Sequence, residues 1–146
     1  MSTAGPPFDT QEFSRWRAAA GDAAETAHLL ARADRHSDAC FHAEQAAQLG
    51  LKALLHGLGL PAWGHDLIDL GRRCAAEFGQ SWPAELDRAL VELSRYYIPT
   101  PYSDAHPGGT PAENYGTEDA EAACRHAGTV LDAVSDAWVS LLEGGG

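Results

Sequence analysis

One arginine, three tyrosines and two prolines fall within the run Arg95-Tyr96-Tyr97-Ile98-Pro99-Thr100-Pro101-Tyr102. The guanidinium is a permanent cation with a planar fork of donors, and it suits phosphate or carboxylate oxygens. Tyrosine adds a stacking face and a hydroxyl. Together these groups suit an anion or a nucleotide. Proline lacks an N–H and clashes with the preceding turn, so the helix before it must stop near Ile98. The cation and the phenols therefore collect at a helix end and in the loop that follows.

The helix that carries Arg95 fixes its direction. At about 100° per residue, Arg95 points away from the Leu86-Leu90-Leu93-Tyr97 stripe. It shares the outer face with Arg88 and Val91. It is expected to face solvent, a ligand or a second copy of the chain. Tyr97 sits on the apolar stripe and is expected in the core. A second polar line, Phe41, Gln45, Gln48 and Lys52, runs along an earlier helix. It reads as a groove wall or as a solvated edge. A lone helical histidine such as His42 reads as structural.

The elements that must position these residues are helical. Asp9 with Glu12 resembles a capping box, and Phe13, Trp16, Ala20, Ala23, Ala27 and Leu30 follow at helical spacing toward Asp34. A second helix is predicted from about Ser37 to Leu58, apolar on two sides and stopped by Gly57-Leu58-Gly59-Leu60-Pro61. A shorter third lies within Trp63 to Phe78, with His65-Asp66 at its start and Asp66 as its cap. A fourth runs from Pro83 to Tyr97, and a fifth from Thr117 to Glu143. A long Pro- and Gly-rich loop, Pro99 to Gly116, separates the last two. The expected division is a disordered leader over 1–8, a helical bundle over 9–143 and a flexible tail over 144–146. The expected fold is all-α, an antiparallel up-and-down bundle of four to five helices.

Composition narrows the function. The 146 residues fit one domain with its own core. A net charge of −11 and a single lysine, Lys52, argue against a broad nucleic-acid surface, although a local cationic pocket stays open. Cys40, Cys74 and Cys124 are too few and too scattered for a disulfide framework, and they read as small apolar residues. No apolar run reaches membrane-spanning length, and the chain reads as cytoplasmic. His42-Ala43-Glu44 matches half of a zinc-deaminase signature whose cysteine half is absent, and His36 with Cys40 lacks further ligands. No phosphate-binding loop or dinucleotide fingerprint occurs. No metal and no cofactor is expected.

Three segments in this order, Phe41-His42-Ala43-Glu44-Gln45-Ala46-Ala47, Gly64-His65-Asp66-Leu67 and Arg95 to Ala105, resemble the HEPN family. The resemblance implies a small helical domain linked to nucleotide binding or RNA cleavage. Its ribonuclease members carry an arginine, four to six residues, then a histidine, and the pair meets at a dimer cleft. Arg95 matches the arginine. A four-residue spacer puts Thr100 at the histidine position and Tyr102 at the tyrosine that toxin members present for nucleotidylation. No histidine lies in the window, and His106 is in the loop beyond it. Metal-free RNA cleavage needs a proton shuttle near neutral pH, which threonine does not supply.

The resemblance therefore implies the branch without the ribonuclease motif. That branch is a homodimeric, nucleotide-binding accessory of a small nucleotidyltransferase. Arg95 would take phosphate, Tyr96 and Tyr102 a base, and Lys52 and Gln45 would contribute from the second helix. The nucleotide would be of the ATP or GTP class, and RNA is the less expected ligand. Two other readings stay open. One is a ribonuclease toxin of a toxin–antitoxin pair, with Arg95 catalytic. The other is a non-catalytic interaction bundle.

Overall fold

A computed structural model describes residues 8–97 and 115–144. The described elements are α1 (Thr10–Arg32), α2 (His36–Gly57), α3 (Leu67–Phe78), a 3₁₀ turn (Gly79–Ser81), α4 (Ala84–Ser94) and α5 (Thr117–Gly144). No strand occurs among the described residues. The fold is an all-α helical bundle, as the periodicity predicted. Phe8, expected in the leader, packs edge-on against Trp138 at 5.9 Å. Gly144, expected in the tail, closes α5.

Local chemistry sets the helix ends. The Asp9 carboxylate accepts from the Glu12 amide at 3.0 Å and caps α1. Glu12 does not return the bond; its carboxylate turns to Arg15 and Trp16. The connection from α1 to α2 is only Ala33-Asp34-Arg35, with Asp34 in the left-handed region at φ 60°. So short a link makes α1 and α2 antiparallel neighbours, and the Asp9 amide donates to the Gly57 carbonyl at the far end. Asp66 caps α3 by accepting from the Ile68 and Asp69 amides, so α3 starts at Leu67, directly after the expected cap.

The layout follows from which ends meet. His36 at the start of α2 lies 3.4 Å from Thr117 at the start of α5. Gly57 at the end of α2 meets Trp138 near the end of α5. So α2 and α5 run parallel, and α1, α2, α4 and α5 alternate up, down, up, down, with α3 inside the α2–α4 crossover.

The central element is α2. Its Ala39, Cys40, Ala43, Ala46, Ala47, Leu51, Ala53, Leu54 and Leu55 are all buried. Each fully buried leucine contributes roughly 1.5–3 kcal/mol. Small residues let α5 approach closely: a Cβ on Gly57 would lie 2.5 Å from the Trp138 ring. Trp138 in turn stacks on Phe13 at 4.3 Å and 6°. The three cysteines are free and buried, and burial pushes the Cys40 and Cys74 thiols up to about 12. They act as packing residues.

Candidate functional site: a buried carboxyl and the turn after α4

The turn after α4 departs from the helical wheel. Past Ser94 the amides of Arg95, Tyr96 and Tyr97 donate to carbonyls three residues back, on Glu92, Leu93 and Ser94. That tighter winding eclipses i and i+3. Tyr96 therefore falls in line with Leu93 and is buried at 3 %, while Tyr97 turns outward at 37 % exposure. The expected placements of the two tyrosines are exchanged. Tyr96 packs edge-on against Tyr115 at 5.8 Å, and burial raises its phenol above the ordinary range. Its face is not available to a base.

Arg95 is exposed, as expected, on the outer side of α4 with Arg88 and Val91. Its guanidinium lies 5.6 Å from the Tyr96 ring centroid and bonds Glu92 at 3.0 Å. An exposed pair of this kind is weak and leaves the cation available. Thr100, Tyr102 and His106 lie outside the described residues.

The polar line on α2 is where the structure departs most from expectation. Glu44 is completely buried, and Gln48 is 2 % exposed. The Glu44 carboxylate accepts from Gln48 Nε2 at 2.8 and 3.0 Å and from Gln45 Nε2 at 2.9 Å. Burial pushes the Glu44 carboxyl up to about 7, against the Gln48 and Gln45 bonds and the Lys52 charge, which hold it down. Lys52 is half-buried, and burial lowers its pKa, aided by Arg73 and opposed by Glu44. Glu44, Gln48 and Lys52 are spaced four residues apart and so share one helix face.

The line continues into the next segment. His65, just before α3, approaches Gln48 Oε1 through Nδ1 at 3.3 Å. The His65 ring lies parallel to Tyr97, with centroids 6.3 Å apart. Beside it, Arg73 stacks on the exposed Trp63 ring at 4.5 Å and donates to the Trp63 and Pro61 carbonyls. The structure thus brings Lys52 and Gln45 together around Glu44 and adds His65 and Tyr97, while Arg95 meets Glu92 and Tyr96 instead. The sequence signal that Glu44 and Gln48 offered was acid and amide side chains on a helix otherwise apolar on two sides.

An open groove of about 590 Å³ elsewhere, between the start of α4 and the end of α5, is lined by Glu77, Glu85, Asp132 and Asp136. Four carboxylates without a cation repel an anion, so size does not mark the site. Among the described residues no group of three or more His, Cys, Asp or Glu could hold a metal. No helix among them is long and apolar enough to cross a membrane.

Comparison with known proteins agrees with this arrangement of helices. A solved structure from Thermus thermophilus, TT1696, is similar at 35% identity and a TM-score of 0.76, over 85% of this chain and 96% of that one. An archaeal HEPN homologue, ST0689, is similar at 26% identity and a TM-score of 0.71, over 85% and 95% of the two chains. A HEPN domain protein from Thermotoga maritima matches at 26% identity and a TM-score of 0.69, over 86% and 98%. No curated protein matches the chain. The profile of the HEPN domain matches residues 13–137, from within α1 to within α5. The chain belongs to the HEPN domain family.

Proposed function

We propose that this HEPN protein is a homodimeric nucleotide-binding subunit that serves a small nucleotidyltransferase, and that it does not cleave RNA. One observation carries the reading. A single turn, Arg95 to Tyr97, sends a cation to the outer face and lays an aromatic ring parallel to His65. Arg95 and Lys52 are the phosphate ligands in this reading, and Tyr97 with His65 replaces the buried Tyr96 as the base platform. Gln45 contributes from the same helix, two turns before Lys52, and Tyr102 remains the proposed nucleotidylation target. Val91, at 53 % exposure beside Arg88 and Arg95, supports a dimer contact on the outer face of α4.

Calorimetric titration of ATP and GTP into the full chain tests this, with Arg95→Ala and Lys52→Ala in parallel and sedimentation to read the dimer. Saturable heat that both variants lose is the expected result. A monomer that gives no heat with either nucleotide would leave an interaction scaffold as the better account.

A further inference from the structure

We infer that Glu44 is a positioning residue which, through Gln48, decides whether the outer nitrogen of His65 accepts or donates a hydrogen bond at the ligand face. The argument is one of donor and acceptor counting along a chain of three side chains. An ionised carboxylate only accepts. Gln48 must then turn its Nε2 toward Glu44, as the bonds of 2.8 and 3.0 Å record. Its Oε1 is left facing His65 Nδ1 at 3.3 Å. An oxygen facing that nitrogen requires Nδ1 to carry the hydrogen. The neutral ring then presents a bare lone pair at Nε2, which has no partner among the described residues, and His65 as a whole is exposed. That lone pair takes a hydroxyl or amino donor, groups that ribose and purine edges carry.

A proton on Glu44 reverses the chain. The carboxylic acid O–H, its proton drawn from solvent, donates to Gln48 Oε1. The Gln48 amide turns over by half a rotation and aims Nε2–H at His65 Nδ1. His65 gives its Nδ1 proton to water and takes one from water at Nε2, and in that tautomer its outward face is a donor. The carboxyl pushed up to about 7 puts this exchange near neutrality. The groups around it are few. Lys52 on its own helix bears on it directly, and Arg73 on α3 bears on Lys52. His65 before α3 is reached through Gln48, and Tyr97 after α4 lies over His65. No charged group on α1 or α5 is among those acting on the Glu44 carboxyl. Burying a carboxyl with amide partners costs stability compared with an apolar side chain. Its effect on His65 is the feature a packing residue would not provide.

The ligand side of this inference rests on the nucleotide reading above, and the experiment separates the two. Side-chain ¹⁵N NMR of His65 in the full chain at pH 8.5 is expected to show the Nδ1–H tautomer, the form free histidine disfavours. Glu44→Leu, which removes the acceptor for Gln48 Nε2, and independently Gln48→Met, are expected to shift the ring toward Nε2–H. As pH falls through about 7, the Glu44 carboxyl carbon is expected to move, and this step disappears in Glu44→Gln. An Nε2–H ring in the wild type at pH 8.5, or variants with the wild-type tautomer, would overturn the relay. ATP affinity at pH 8.5 is expected to fall about tenfold in Glu44→Leu, the scale of one hydrogen bond. If ATP binds neither protein, the nucleotide reading fails and the tautomer result still decides the relay.

Discussion

Tyr97 lies parallel to His65, with an interplanar angle of 10°, although one follows α4 and the other precedes α3. Its neighbour Tyr96 packs against Tyr115 instead and is almost fully buried. Two adjacent residues of the same type therefore hold separate jobs, and substitution should part them. Tyr96→Ala should cost about 3 kcal/mol or more, as large aromatic truncations in cores do. Tyr97→Ala should cost under about 1 kcal/mol and weaken nucleotide binding instead. Urea denaturation of both variants checks this; equal losses would mean that the turn is wound differently.

The buried carboxyl makes stability depend on pH in a stated direction. Glu44 is raised from 4.5 to about 7 in the folded chain, so the fold favours the protonated form. Its contribution is fully present below about pH 4.5 and is lost as pH rises through about 7. The loss is roughly 3 kcal/mol at most, at 1.36 kcal/mol per unit. Glu44→Gln carries no such charge and should gain on the wild type between pH 5.5 and pH 8.5. Denaturant midpoints at those two values read the difference, and a gap that does not widen with pH would count against the assignment.

Close approach of α2 and α5 predicts intolerance at one glycine. Gly57→Ala would place a methyl 2.5 Å from the Trp138 ring and 3.1 Å from Phe13 Cβ. Overpacking of this kind costs typically about 1–3 kcal/mol. Thermal melts of Gly57→Ala should show the loss. The opposite test is Gly128→Ala, where an added Cβ meets nothing within 4 Å in the middle of α5 and should stabilise.

Arg95 should show the reverse profile to Gly57. Its bond to Glu92 is solvent-exposed, so Arg95→Ala should change stability by under about 0.5 kcal/mol. Its effect belongs on binding and on the dimer. A melting temperature that falls by many degrees would make Arg95 a structural residue and remove it from the proposed site.

Helix identity was legible because local signals are strong. Asp9, Asp66, Pro83 and the Gly57–Pro61 run mark their ends within a few residues of where they fall. Val91 was legible as an outer face because the middle of α4 winds at the ordinary pitch, and Arg95, at the first residue past the helix, keeps to that face. The tyrosines were not, because a wheel at about 100° per residue fails where bonds close three residues back. Glu44 was hidden for a different reason. A carboxylate between two apolar faces reads as surface until packing from a distant loop, here His65, shows that the line is covered.

The three-residue link at Asp34 also bears on the order of assembly. The α1–α2 pair is built from contacts near in sequence, which close fast, whereas α5 must return across most of the chain. The helical hairpin is then the expected folding nucleus, with α5 expected to dock late and clamp it through Trp138. Ala27→Gly in the hairpin should slow refolding, while Trp138→Leu should mainly hasten unfolding. A chain emerging from the ribosome would hold Glu44 and Gln48 on a formed helix well before Trp138 arrives to seal the bundle around them.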